Sequence, residues 1–190
     1  MRATEDVDCI SNRVPWATQL AMLAQMVSAG TLRPDKLVAC RYAIVNTDVE
    51  VDVMSPEGFN VPTTAFFKRA AAHARHYDAG EGKTARAVGP AYFLALKLEA
   101  LVDRGDVYSK DAQDIVVLAV EVADLVRDVH AEGIAAEIAV LWKRAFEKLH
   151  IDLSYVGDLV DAHIRGDEEH RDRAVNVIEA LARGTHRSGW

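Results

Sequence analysis

The sequence predicts an α+β protein in which a strand-rich first half gives way to helices. Three observations lead there. Segments 4–10 and 49–54 alternate acidic and apolar residues with a period of two, the mark of a strand with one polar and one apolar face. A further β-rich run over 37–45 precedes the second of them across the polar turn Asn46-Thr-Asp48, which reads as an antiparallel hairpin. From Pro90 onward, apolar residues recur at helical spacing with glycines between the runs. The change of composition near residues 90–105 sets the expected boundary, giving an α/β core over 1–105 and a helical region over 106–190.

Taken in order, segment 16–29 carries Leu20, Leu23, Ala24 and Val27 at helical spacing, and Gly30 closes it as a C-cap. A turn around Arg33-Pro-Asp35 leads into the hairpin, and Ser55-Pro-Glu-Gly58 stops its second strand. Thr63 or Thr64 caps a helix expected to run through Phe66, Phe67, Ala70 and Ala74 to about Tyr77. Residues 78–83 form a turn before a short strand over 84–88. Gly80-Glu-Gly-Lys-Thr84 superficially suggests a phosphate-binding loop, but that motif needs a glycine where this chain has Tyr77, and a strand before and a helix after it. A hairpin turn is the better account. Pro90 opens a helix through Phe93, Leu94, Leu96, Leu98 and Leu101 that ends near Gly105. Ser109, followed by Asp111 and Asp114, caps a long helix expected to continue to Gly133. Helices over 134–149, 152–165 and 167–183 complete the chain.

A chain of 190 residues with 27% charged residues can bury a core of its own. It has no run of 18 apolar residues and no basic-then-apolar start, so neither membrane nor secretion is expected and the expected location is cytoplasmic. The net charge of −7 argues against a general nucleic-acid binder. Two local groups of cations, Lys143, Arg144 and Lys148, and Arg183, His186 and Arg187, read as solvated helix faces rather than a basic groove. Cys9 and Cys40 read as reduced core residues. His73 and His76 lack a third ligand at metal-binding spacing and read as a solvated helix face.

The acidic residues carry the chemistry. Asp6 and Asp8, two apart on a strand, point the same way at roughly 6 to 7 Å from each other. Asp52 lies in the second alternating strand, with Val49, Val51 and Val53 on its opposite face. Laid side by side, the two strands gather three carboxylates, which repel unless a divalent cation sits among them; hard oxygen donors suit Mg²⁺. Phosphoryl or nucleotidyl transfer is the matching reaction class. The plain alternative is a solvated acidic end.

Four motifs follow one another in a familiar order: Arg2-x-Thr4-x-Asp6-x-Asp8; Cys40-Arg41 leading to Val51-Asp-Val-Met54; Tyr92-Phe-Leu-Ala-Leu-Lys-Leu-Glu-Ala100 with Asp103-Arg-Gly105; and Ser109-Lys-Asp-Ala-Gln-Asp-Ile115. Over about residues 2–120 the chain resembles the AbiEii-type nucleotidyltransferases, abortive-infection toxins of the DNA polymerase β-like superfamily. The resemblance implies a mixed β-sheet flanked by helices and followed by a C-terminal helical bundle. It also implies Mg²⁺-dependent transfer of a nucleoside monophosphate from an NTP, with tRNA or another RNA among the acceptors, and a cognate antitoxin as partner. Asp6 and Asp8 match the metal-binding pair and Asp52 the third catalytic carboxylate. Lys97 matches a lysine that meets the triphosphate, Asp111 an acid held near it, and Asp114 the second acid of that motif. Read without the resemblance, Lys97 is a surface lysine paired with Glu99 or Asp103, and Asp111 and Asp114 are acids at a helix start. The family pattern also has, before its D-x-D, a strand and a helix opening with Gly-Gly or Gly-Ser that cradles phosphates. This sequence starts without one, so the expectation divides between an active transferase and a truncated or inactive relative serving as a protein-interaction module.

Overall fold

Alternation along 6–10 and 50–54 builds the first sheet. The structure, a computed structural model, describes residues 6–10, 15–54, 65–78, 80 and 82–184. Strand β1 (Asp6–Ile10) runs parallel to β4 (Glu50–Met54), and β4 pairs antiparallel with β3 (Arg41–Ile44), which pairs antiparallel with β2 (Leu32–Pro34). The resulting order is β1-β4-β3-β2. The expected hairpin is present, turning at Asn46 with φ +66°, a left-handed conformation that asparagine tolerates. Helix α1 (Trp16–Ser28) connects β1 to β2 and packs against β2, burying Leu23 as β2 buries Leu32. Gly30, at φ +72°, follows it as expected.

Two details of this unit differ from the sequence reading. Arg33 and Pro34, expected in a turn with Asp35, belong instead to β2, and the strand expected from Leu37 begins only at Arg41. Asp35 is the cause, since its carboxylate accepts the backbone N–H groups of Leu37 and Val38 and curls residues 35–38 into a turn that leaves Leu37 exposed. Cys9 is exposed and Cys40 half-buried, so neither is a core residue, and no disulfide joins them. Helix α2 (Ala65–Ala72) ends the unit; the expected strand stop at 55–58 and the cap at Thr63 or Thr64 lie outside the described residues.

The chain divides between Ala72 and His73, not near residue 105. The reason lies in α3 (Pro90–Arg104), whose Leu94, Leu98 and Leu101 are fully buried against helices that follow it in sequence. The second unit begins with a hairpin of β5 (Arg75–Asp78) and β6 (Thr84–Ala87), where a helix had been expected to reach Tyr77. Lys83 N–H bonds Gly80 C=O across the turn, so the glycines of 80–84 serve a hairpin. His76 therefore lies on a strand and not on a helix face with His73.

Helices α4 (Lys110–Glu121), α5 (Leu125–Ala131), α6 (Ala135–Leu149), α7 (Val156–Asp161) and α8 (Glu168–Arg183) follow. The long helix expected to reach Gly133 breaks at Val122, whose backbone is extended at ψ 101°, and α5 restarts three residues on. Helix α3 packs on α4, α5 and α6, while α8 closes against α4, α5, α6 and α7. Trp142 and Ile138 of α6, Ile115 and Val116 of α4, and Ile178 of α8 fill the core between them. Each such side chain contributes roughly 1.5–3 kcal/mol on burial. Among the described residues no helix is long and apolar enough to cross a membrane.

Gly105 ends α3 in the left-handed region at φ +64°, and a Cβ there would meet the Lys148 side chain at 2.7 Å. Gly105→Ala is expected to lower stability by about 1–2 kcal/mol. Urea unfolding followed by circular dichroism checks this, and an unchanged midpoint contradicts it.

Candidate functional site

In the first unit the register of β1 and β4 sets the site. Asp6 pairs with Glu50, Val7 with Val51 and Asp8 with Asp52. Parallel partners in register share a face of the sheet, and neighbouring strands lie roughly 4.8 Å apart, so positions 6, 8, 50 and 52 fall on one face. The side chains of Asp6 and Asp8 lie outside the described residues. Among the described residues no group of three or more metal-ligating side chains occurs, a set that leaves out those two.

Asp52 is engaged from the other side of β4. Arg41, its register partner on β3, donates Nε–H to Oδ1 and Nη2–H to Oδ2, both at 2.8 Å, and its Nη1 lies 3.2 Å from Glu50. The hydrogen bonds to Asp52 hold the guanidinium even further above its ordinary pKa. Of the positions 6, 8 and 52 that the sequence offers to a hard cation such as Mg²⁺, Asp52 is the one whose side chain is described, and both its oxygens are on a guanidinium. Sequence reasoning quoted Arg41 only as part of a motif. Counting outward from Asn46 and Thr47 through the expected hairpin would have put it opposite Asp52.

In the second unit Lys97, Asp111 and Asp114 come together. Lys97 Nζ lies 2.6 Å from Asp114 Oδ2 and 3.4 Å from Asp111 Oδ1, and 5.3 Å from the centroid of the Phe93 ring. Its partners are thus the acids of α4, not Glu99 or Asp103. Arg104, quoted from the sequence only within the motif Asp103-Arg-Gly105, takes the second oxygen of Asp111. Burial alone would lower the pKa of Lys97; the Asp114 hydrogen bond, with the charges of Asp114 and Asp111, outweighs it and raises the value. Ser109 caps α4 by accepting the Ala112 N–H at 3.2 Å, which aims Asp111 and Asp114 from the first turns at α3. With only 4% of its side chain exposed, Asp111 is a buried anion held by two cations, whereas Asp114 at 28% remains open to exchange.

A third cluster lies at the start of this unit. Glu132 accepts from Arg75 Nη2 at 2.9 Å and contacts His73 Nδ1 at 2.7 Å, and the His73 ring lies against Tyr92, tilted by 54° with centroids 5.1 Å apart. Burial would raise the pKa of Glu132, but its bonds to Arg75 and His73 bring it below the usual value. The basic residues Lys143, Arg144 and Lys148 are exposed on α6; Arg183 pairs with Glu179, and His186 and Arg187 lie outside the described residues.

No protein-family model, no curated protein and no solved structure matches the chain.

Removing Asp111 leaves Lys97 half-compensated in a largely buried position. Asp111→Ala is expected to cost about 3 kcal/mol, whereas Arg104→Ala, whose side chain is 64% exposed, stays under about 1 kcal/mol. Chemical denaturation of both variants decides it, and equal losses would show that burial of Asp111 is not what matters. The Glu132 contribution is full above the carboxylate's unfolded pKa and is lost as pH falls through its lower folded value. Glu132→Gln should therefore lose less stability than wild type between about pH 5 and about pH 3. Parallel acid limbs in melts of the two proteins would contradict that assignment.

Proposed function

We propose that the chain is a nucleotidyltransferase-fold protein that transfers a nucleoside monophosphate from an NTP to an acceptor hydroxyl, with RNA such as tRNA as the acceptor class. In this reading it is the toxin component of a toxin–antitoxin pair. The observation that carries the proposal is the parallel register of β1 and β4, which puts acid positions 6, 8 and 52 on one sheet face. The acceptor oxygen forms a bond to the α-phosphorus, the bond to the bridging oxygen of the β-phosphate breaks, and pyrophosphate leaves. Mg²⁺, when bound, neutralises charge on the phosphates and aligns them. Positions 6, 8 and 52 would hold it, and Asp52, whose oxygens take the Arg41 fork, would accept the proton of the acceptor hydroxyl once freed from it. Within the second unit by itself, Lys97, held by Asp114 at 2.6 Å, is the side chain that the family resemblance offers as a phosphate ligand.

A second reading is favoured by one observation, the saturation of Asp52 by Arg41. There the acids and their cations serve as cross-strand and interhelical ties, and the protein is a non-catalytic interaction module.

Incubation with labelled NTPs, Mg²⁺ and total tRNA separates the two. Label transfer that needs Mg²⁺ and falls by about a thousandfold in Asp8→Asn is the expected result. No transfer and no NTP binding by the wild-type chain at millimolar Mg²⁺ would remove the catalytic reading.

A further inference from the structure

Helix α1 buries a polar side chain and leaves apolar ones in water. Its 13 residues, Trp16–Ser28, carry no charge, which is true of no other described α-helix. The two residues it buries are Gln19 and Leu23, and neither the nitrogen nor the oxygen of the Gln19 amide has a hydrogen-bond partner. Leu20, Met22 and Met26 are meanwhile 43%, 53% and 40% exposed. A helix that is apolar all round belongs inside a protein, and an orphaned buried amide costs free energy, so the sheet alone covers α1 poorly. The apolar surface continues past the helix end. Thr31 N–H bonds Met26 C=O and Val45 N–H bonds Thr31 C=O, which brings the exposed Val45 beside it.

We infer that α1 is the contact surface of a symmetric dimer, laid against α1 of a second copy of this chain. Neither the transferase role nor the module role bears on this contact. Charge selects the occupant. An acidic or basic partner finds no opposite charge on α1, and helices that lie on lipid surfaces carry lysines and arginines, of which α1 has none. A two-fold contact sets a patch against itself, so a charged patch repels its copy, and α1 is the described α-helix free of that penalty. The exposed Ala17, Ala21 and Ala24 let two backbones approach, while Leu20, Met22 and Met26 fill the space beside them. Met22 is the midpoint of the helix, so an antiparallel pair places it near its own copy. At about 20 Å long the helix offers less than the roughly 800 Å² per partner of a standard interface, and the dimer is therefore micromolar rather than nanomolar.

Sedimentation velocity of the full chain from about 1 to about 100 μM reads the association. The wild type should pass from monomer to dimer over that range. Met22→Glu alone and Met22→Lys alone should each weaken self-association by at least about tenfold, and an equimolar mixture of the two should recover a dimer. Val140→Glu, at a residue 57% exposed on α6, should leave the association unchanged. A wild type that stays monomeric, whatever else covers α1, overturns the inference, as does a dimer that Met22→Glu leaves intact, a mixture no tighter than its components, or an equal loss in Val140→Glu. Should the charged variants fail to fold by circular dichroism, Met22→Ala decides: a several-fold weaker dimer supports the contact, and an association equal to wild type overturns it.

Discussion

A carboxylate set between packed elements has to be answered by a cation, because charge taken out of water costs several kcal/mol unless it is paired and hydrogen-bonded. Among the described residues the constraint is met in three places, each time with a partner from another segment. Arg41 answers Asp52 across β3 and β4, Lys97 and Arg104 answer Asp111 across α3 and α4, and Arg75 answers Glu132 at the end of α5. Each pairing ties two segments of the chain by charge as well as by packing.

The two units use the constraint differently. In the helical unit the apolar faces of α3, α4, α6 and α8 make a core, and the Lys97–Asp111 pair sits at its margin where α4 begins. Asp111 is locked by two cations, while Asp114 holds the same lysine more closely, at 2.6 Å against 3.4 Å, from a more open position. In the sheet unit the acids stand on neighbouring strands rather than in a core. There Arg41 takes both oxygens of Asp52.

Local patterns were legible where one element determines the outcome. Alternation revealed β1 and β4, Gly105 and Ser109 marked the end of α3 and the start of α4, and the glycines of 80–84 were rightly assigned to a hairpin turn. Clustering of Lys97 with Asp111 and Asp114 was reached through a resemblance, since the residues alone gave Glu99 and Asp103 as equally good partners. What escaped notice depends on competition between elements. Asp35 captures backbone N–H groups and delays β3, which periodicity does not register. The break at Val122 follows no glycine or proline. Helix α3 lies next to the strands in sequence, yet its leucines are buried among later helices, which moves the boundary to residue 72. Arg41 and Arg104 were read only within motifs because a cation reads as solvated until its cross-element partner is known.

The central claim is that acid positions 6, 8 and 52 form one cation-holding face, and the most direct test is paramagnetic broadening in amide NMR spectra recorded with substoichiometric Mn²⁺ and a non-hydrolysable NTP. The account predicts that amides of residues 6–8 and 50–53 broaden first and that Asp52→Asn restores them. Broadening that begins elsewhere, at the acids of 158–169 for example, or that leaves β1 and β4 untouched, would contradict it.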